Sequence, residues 1–385
     1  MKFGAMNMEP GRMLRRKRAP MANLMRCLYL GAALSIGVVA NEATVADDDT
    51  ITIVSWGGPY VVSQDKAYFE PFTRKTGVNI NLAKYDGGIE DLRAMVRAGE
   101  LMWDLIDLTV ADTLLACEEG LLEVIDHSRL PPAPDGTPAQ DDFYEGALTR
   151  CGVAEIVSST VLAFNAKVFP GEQPSKIQDL FDLEKFPGKR ALQKKPIANL
   201  EWALMSYGVP REELYDLLST ERGLRLAFAR LDQIKDHIVW WLDLSVPVKL
   251  LSREEVVIAS GYNGRFFNAA VVLGRPIEII WDGQLYELSG WGIPKGTPNY
   301  ETVMEFISFA TDTRRLADQA KYIPYGPARR SSEKLVRTHE QTGVDMRPHM
   351  PTAPANFMTA IAKDNLWYAR INDRLTERFN AWLGE

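Results

Sequence analysis

Short apolar runs alternate with amphipathic segments through the first third of the chain. Three strands are predicted, at residues 51–54, 78–84 and 103–108. A helical period follows each strand, in a helix that Ser63 would cap, in 89–98 and in 111–119, and each helix ends at a glycine. This β-α-β-α-β-α order predicts an α/β fold, in which a parallel sheet is covered by helices on both faces.

The second half of the chain repeats this theme around one long predicted strand at residues 155–165. Further strands are predicted at 256–260 and 276–281, and Tyr262-Asn263-Gly264 is predicted as a turn before a helix at 265–273. The remaining helices are predicted at residues 177–180, 200–207, 211–231, 302–310 and 367–382. A separate return segment begins at Ser289.

Residues 1–46 have the layout of a secretory signal peptide. A basic region around Arg15 and Arg16 precedes an apolar stretch at 27–40, and Thr44-Val45-Ala46 supplies the small residues of a cleavage site. An N-terminal membrane anchor is the alternative, but the apolar stretch is shorter than the roughly 20 residues that a spanning helix needs. The sequence therefore predicts export and cleavage.

Composition narrows the class of protein. The chain has 385 residues, 46% of them hydrophobic, which is typical of a globular protein and favours two domains. Without residues 1–46 it keeps 37 basic and 49 acidic residues, a net charge of −12. An acidic exported chain without basic clusters is a poor nucleic-acid binder, since phosphate neutralisation supplies most of that affinity.

Cysteine usage fits the same compartment. Cys27 leaves with the signal segment, and Cys117 and Cys151 remain. A single pair in an oxidising compartment predicts a disulfide, with two buried free thiols as the alternative.

The sequence contains no recognisable catalytic centre. The four histidines, His127, His237, His339 and His349, have no partner at metal-ligand spacing. The sequence also has no nucleophile elbow, P-loop or dinucleotide fingerprint. It therefore predicts no enzyme activity, no metal and no cofactor.

Aromatic residues recur where predicted strands pass into helices. They are Trp56, Tyr60, Tyr85, Tyr262, Tyr286 and Trp291. Ligands of open α/β sheets bind beyond the carboxyl ends of the strands, where aromatic faces can hold a cationic group. The pattern predicts a lined cleft, and core packing is the alternative for each single aromatic.

Four segments then carry a family resemblance over nearly all of residues 50–385. They read ITIVSWGGPY, WDLIDLTVADTLLACEEGLLEVIDHSRL, EIVSSTVLAFNAKVF and VVIASGYNGRFFNAAVVLGRPIEIIWDGQLYELSGWGIPKGTPN. In this order they resemble the periplasmic solute-binding proteins of ABC importers, in the branch of the spermidine/putrescine-binding protein. The resemblance implies a two-lobed α/β fold, each lobe a mainly parallel sheet flanked by helices, with the ligand cleft between the lobes.

The resemblance also implies a division of the chain and a mode of action. The crossover strands would be 155–165 and 285–294, the N-terminal lobe 47–157 plus 290–333, and the C-terminal lobe 158–289 plus 334–385. A protein of this type is a periplasmic monomer without catalytic activity. It closes over a small ligand and delivers it to a membrane permease.

Only some of the ligand-binding positions of this family hold the expected type of residue in this sequence. Trp56, Tyr60 and Tyr262 meet its aromatic positions, and Thr109 its small hydroxyl position. The acidic positions that clamp a polyamine instead read Gln193-Lys194-Lys195 and Ser289, with Glu287 two residues before Ser289. Arg265 follows the Tyr-Asn-Gly sequence and suits a carboxylate, because its planar fork binds one bidentately.

These residues predict a zwitterionic or acidic small ligand, such as a γ-aminobutyrate-like amino acid or an opine. Arg265 or Lys194 would hold its carboxylate, with Glu287 and the aromatic residues around its amine. A polyamine is the alternative, with Asp86, Asp282 and Glu287 as its acidic partners. Ferric-ion binding and an exported hydrolase are minor alternatives, and the chain lacks the adjacent tyrosine pair that ferric sites use.

Overall fold

The computed structural model describes residues 50–85 and 87–384. The predicted signal peptide at residues 1–46 and the candidate acid Asp86 therefore lie outside the described residues. Within the described residues no helix is long and apolar enough to cross a membrane.

The described residues form a mixed α/β fold. The strands are β1 Thr50–Ser55, β2 Asn79–Lys84, β3 Leu105–Thr109, β4 Leu148–Thr149, β5 Gly152–Asn165, β6 Arg190–Gln193, β7 Ile238–Trp241, β8 Ile258–Tyr262, β9 Ile277–Gly292, β10 Gly326–Pro327 and β11 Ile361–Ala362. The helices are α1 Gly58–Gln64, α2 Glu70–Thr76, α3 Glu90–Ala98, α4 Val110–Glu118, α5 Ala139–Asp142, α6 Ile177–Phe181, α7 Asn199–Ser206, α8 Leu214–Leu218, α9 Glu221–Asp232, α10 Val246–Ser252, α11 Asn263–Phe267, α12 Tyr300–Ala310, α13 Thr313–Gln319, α14 Arg330–Glu333, α15 Pro354–Phe357 and α16 Asn365–Leu383. The predicted α/β class is confirmed.

The sheet consists of two parallel halves that flank an antiparallel pair of long strands. Its order is β2-β1-β3-β9-β5-β8-β6-β7, and β1 runs parallel to β2 and β3 while β6 runs parallel to β7 and β8. The long strands β5 and β9 are antiparallel to each other and to their outer neighbours. Both halves are therefore connected through β5 and β9.

Each half of the sheet has its own buried core. Phe72, Trp291 and Phe306 belong to a cluster that includes the first part of β5, whereas Trp202 and Phe379 belong to a second cluster that includes its last part. Every residue of β5 is buried. This explains why the sequence of β5 lacks the regular apolar–polar alternation of a half-exposed strand.

The first helical segment starts earlier than the sequence predicts. Helix α1 begins at Gly58, not after Ser63, and continues through a π-helical turn into α2, which ends at Gly77 as predicted. Gly57 and Gly58 have φ values of 70° and 63°, which only glycine adopts readily, and Pro59 lies in the first helical turn. The predicted cap, Ser63, donates its hydroxyl to the carbonyl of Tyr60 inside the helix.

The predicted turn at Tyr262-Asn263-Gly264 is wrong, because Tyr262 ends β8 and the next two residues begin α11. Tertiary contacts override the turn propensity of Asn263, whose side chain accepts from the backbone N–H of Ser159 at 3.1 Å and donates to the carbonyl of Pro324 at 2.7 Å. Gly264 is required for packing, since a Cβ there would lie 2.7 Å from the Tyr325 ring.

Two further segments differ from their prediction. β9 is one strand of 16 residues, where the sequence predicts a strand at 276–281 and a separate return segment. The helix predicted at 211–231 is interrupted, because Thr220 caps α9 by accepting from the N–H of Gly223. β6 and β7 had no prediction, since each has only four residues.

The predicted disulfide is confirmed. Cys117, near the end of α4, is bonded to Cys151, which directly precedes β5, with 5.7 Å between their Cα atoms. It joins the helix that follows β3 to one of the two strands that connect the halves of the sheet.

Candidate functional site

The register of the central strands brings the carboxyl ends of both parallel halves toward one place. β3 ends at Thr109, which pairs with Ser289 of β9, and Ser289 pairs in turn with Ile156 of β5. β8 ends at Tyr262, which pairs with Thr160 of β5. The two ends are thus four residues apart along β5, or about 13 Å. Carboxyl ends of such strands are where open α/β sheets bind ligands.

Arg265 spans the gap between the two halves of the sheet. It lies in α11, and its two terminal nitrogens are 3.6 Å from the point where a Cβ on Gly58 would stand. Its side chain is half-buried, and no hydrogen bond or salt bridge joins it to another residue of the described chain. A guanidinium in this position has its planar donor set available for a carboxylate.

Two tyrosines lie within the electrostatic reach of both Arg265 and Glu287. Burial raises the pKa of Tyr325 to about 12, where Arg265 acts to lower it and Glu287 to raise it. Burial also raises the pKa of Tyr262, with Glu287 raising it further and Arg265 opposing. Both hydroxyls therefore remain protonated at neutral pH, near one cationic and one acidic side chain.

The acidic end of this region contains two carboxylates and one ammonium. Glu287 Oε2 is 2.5 Å from Lys363 Nζ, and the two side chains are 10% and 6% exposed. Asp112, in the first turn of α4, accepts a hydrogen bond from the Thr109 hydroxyl at 2.8 Å. Burial raises the pKa of Asp112, Lys363 lowers it and Glu287 raises it, so the three charged groups interact.

A buried polar network holds the aromatic residues that follow β1. Tyr60 donates to Glu155 Oε1 at 2.5 Å, and the indole N–H of Trp56 donates to Asp107 Oδ1 at 3.2 Å. Gln64 connects both acids, since its Nε2 donates to Asp107 Oδ2 at 2.7 Å and to Glu155 Oε1 at 2.5 Å.

Tyr85 belongs to the same assembly. Its hydroxyl donates to the backbone carbonyl of Asp107, and its ring packs against Trp56 with 5.0 Å between the centroids. Trp56, Tyr60 and Tyr85 are thus held in fixed orientations by groups that are themselves buried.

Asp107 makes the stability of this network depend on pH. Burial raises its pKa to about 6, although the hydrogen bonds from Gln64 and Trp56 act to lower it. The folded protein then binds this proton more tightly than the unfolded chain does. The contribution to stability is present below about pH 4 and is lost as the pH rises toward about 6.

Asp107→Asn is expected to flatten the fall in unfolding free energy between pH 4 and 6. Urea denaturation at closely spaced pH values measures this slope, and Asp141→Asn, at an exposed position, is the control. A slope identical to that of the wild type would show that Asp107 does not change its protonation on unfolding.

Three other candidate residues, Lys194, Trp291 and Asp282, lie in different surroundings. Lys194 follows β6, where its N–H donates to the carbonyl of Trp241 at 2.9 Å and its side chain is half-buried. Trp291 is fully buried against Tyr68 and Phe306, which is core packing. Asp282 accepts from the N–H of Ile177 at 2.8 Å and so serves the start of α6.

Tyr286 packs against Phe357 of α15, with 4.9 Å between the ring centroids. In the part of the chain that the structure describes, no group of three or more His, Cys, Asp or Glu side chains is arranged to hold a metal ion.

Three residues of this region were missed by the sequence reasoning. The sequence did contain a signal for Asp112, because Thr109 and Asp112 are spaced like the N-cap residue of a helix and the third residue of that helix. Lys363 and Tyr325 had none, since they come from distant segments that return to the sheet beside β9 and α11.

Comparison with known proteins places the chain in a family. Residues 67–352 match the model of a family described as bacterial extracellular solute-binding protein. The chain is 36% identical over 346 residues to the gamma-aminobutyric acid-binding protein of Pseudomonas aeruginosa, an alignment that covers 90% of this chain and 94% of that protein.

Solved structures agree with this match. The Atu4243-GABA receptor superposes with a TM-score of 0.74 at 29% identity, covering 87% of this chain and 97% of the other. MotA from Agrobacterium tumefaciens B6, solved in complex with glucopine, gives a TM-score of 0.76 at 27% identity and covers 87% and 99%. The chain belongs to the bacterial extracellular solute-binding proteins.

Proposed function

We propose that this protein is the periplasmic substrate-binding component of an ABC importer and captures a small zwitterion, either an amino-acid-like compound such as γ-aminobutyrate or an opine. The observation that carries the proposal is that Tyr262 and Tyr325 each lie near both a cation, Arg265, and an acid, Glu287, which itself interacts with Asp112. A ligand with one carboxylate and one ammonium complements this arrangement at both ends.

Each candidate residue then has a role. Arg265 binds the ligand carboxylate, with Lys194 as a second cation, and Glu287 and Asp112 attract the ammonium. The aromatic residues Trp56, Tyr60, Tyr85 and Tyr262 supply the walls, and Thr109 and Ser289 line the floor beside β5 and β9. The relatives named for γ-aminobutyric acid, GABA and glucopine support this ligand class.

Binding works by closure of two lobes. The proposed lobes are residues 47–157 plus 290–333 and residues 158–289 plus 334–385. The two separate cores and the two long connecting strands support this division. Ligand contacts with both halves stabilise the closed form, which a membrane permease then recognises. The protein acts as a monomer in the periplasm and catalyses no reaction.

A polyamine fits this site less well. A diamine brings two ammonium groups, and Arg265 and Lys363 place a cation at each end. Asp282, one of the acids that the polyamine alternative needs, is engaged at the start of α6.

A ligand panel tests the proposal. The mature chain is purified, unfolded and refolded to remove any bound ligand, and its melting temperature is measured with γ-aminobutyrate, opines, other amino acids, putrescine, spermidine and sugars. We expect γ-aminobutyrate or an opine to raise the melting temperature by mass action. A rise with polyamines alone would contradict the proposed ligand class.

A further inference from the structure

Lys363 is built into the acidic end of the site by the strand register. Ile361 and Ala362 of β11 pair in parallel with Leu285 and Tyr286 of β9, so the next residue of β11 lies beside Glu287. The N–H of Lys363 donates to the carbonyl of Tyr286 at 3.0 Å. The backbone of Lys363 is therefore held next to β9 by this pairing, and its Nζ contacts Glu287 Oε2.

The ammonium of Lys363 keeps its charge in this environment. Burial acts to lower its pKa, but Glu287, Asp112 and Glu201 together raise it above the ordinary value of a lysine. Its Nζ also lies 5.7 Å from the centre of the Tyr368 ring. The side chain thus interacts with three acids, of which Glu201 is fully buried.

Lys363 offsets part of the negative charge that Glu287 and Asp112 bring to the acidic end of the site. Glu287 and Asp112 carry two negative charges at one end, and Lys363 neutralises one of them. Arg265 carries one positive charge at the other end. One ligand ammonium then meets the carboxylate that Lys363 does not offset, and one ligand carboxylate meets Arg265, whereas a second ammonium would lie beside a cation in a closed site, which is costly.

We propose that Lys363 is a specificity-determining residue, which cancels one of the two carboxylates and so makes the site reject diamines in favour of zwitterions. The proposal rests on the proposed function, because it presupposes that the ligand lies between Arg265 and Glu287. It assigns the discrimination to a residue that contacts Glu287 rather than to the aromatic walls.

γ-Aminobutyrate and putrescine are the matched probes. Both have an ammonium on a short methylene chain, and they differ in the group at the far end, a carboxylate or a second ammonium. A change in the ratio of their affinities therefore measures how the electrostatic field of the site acts on the group at the far end. Lys363→Met should shift this ratio at least tenfold toward putrescine, as measured by isothermal titration calorimetry.

Lys295→Met is the matched control, because it removes the lysine of a surface ion pair with Glu123. The control should keep the wild-type ratio. If Lys363→Met is folded by circular dichroism and also keeps the wild-type ratio, the proposal is wrong, even where the wild type binds γ-aminobutyrate as proposed. A wild type that binds no zwitterion would contradict the proposed function itself.

A second pair of variants keeps the test decisive if Lys363→Met does not fold. Glu287→Gln leaves the acidic end without net negative charge, and we expect it to bind γ-aminobutyrate at least tenfold more weakly. Adding Lys363→Met to it restores the net charge of −1 and should return the affinity to within about threefold of the wild type. Failure of the double variant to recover would overturn the proposal.

Discussion

Replacing Arg265 by alanine is expected to weaken the binding of γ-aminobutyrate by roughly 100-fold or more. The guanidinium has no salt bridge with another described residue, and it stands against Gly58 in the gap between the two halves of the sheet. A ligand carboxylate that loses this partner would be buried without a counter-charge. Isothermal titration calorimetry on refolded, ligand-free protein measures the loss.

Two comparisons separate this role from a general effect of charge. Arg253→Ala removes an exposed arginine whose nearest acid, Glu255, is 3.6 Å away, and it should bind as the wild type does. Arg265→Lys keeps the charge but not the planar fork, so it should recover only part of the affinity. Unchanged binding by Arg265→Ala would move the carboxylate to another cation, with Lys194 as the first candidate.

The fold was predictable where one segment carries its own signal. The strands at β1, β2, β3 and β5 stood out because apolar runs, glycine stops and turn residues lie within the segment itself. The failures arose where distant contacts decide the backbone. Asn263 is helical because Ser159 and Pro324 take up its side chain, and no local propensity encodes that.

The residues of the candidate site likewise fall into those that the sequence indicates and those that only the fold brings together. Arg265, Glu287 and Tyr262 were named from the sequence, because the resemblance fixed their places relative to known segments. Lys363 could not be, since it reaches Glu287 only through the pairing of β11 with β9. We nevertheless expect its effect on the ligand to be large, because a charge so close to a buried carboxylate changes the net charge that the ligand meets.

The buried acids Asp107 and Glu155 hold two of the aromatic residues that were named from the sequence, and the sequence alone did not indicate this role. Trp56 and Tyr60 were expected to line a cleft, and the structure adds that Asp107 and Glu155 hold them through hydrogen bonds. Both acids are fully buried, and burial raises the pKa of each. Such an arrangement costs stability at neutral pH, and it holds Trp56 and Tyr60 in one orientation. If these side chains line the cleft as proposed, less entropy is lost when a ligand binds.

Replacing Cys117 and Cys151 by serine is expected to lower the free energy of unfolding by roughly 3–4 kcal/mol, because the bond closes a loop of 34 residues in the unfolded chain. For a chain of this length the melting temperature should fall by about 5 °C. Differential scanning calorimetry under oxidising conditions measures both quantities.

The disulfide also tests whether stability and binding can be separated in this protein. It lies at the far end of α4 from Thr109 and Asp112, so the double variant should bind γ-aminobutyrate with nearly wild-type affinity below its melting temperature. Adding a reductant to the wild type should reproduce the lower melting temperature and leave the double variant unchanged. If oxidised wild type and double variant melt together, the bond does not constrain the unfolded chain. If binding is lost as well, α4 depends on the disulfide to hold Asp112 at the acidic end of the site.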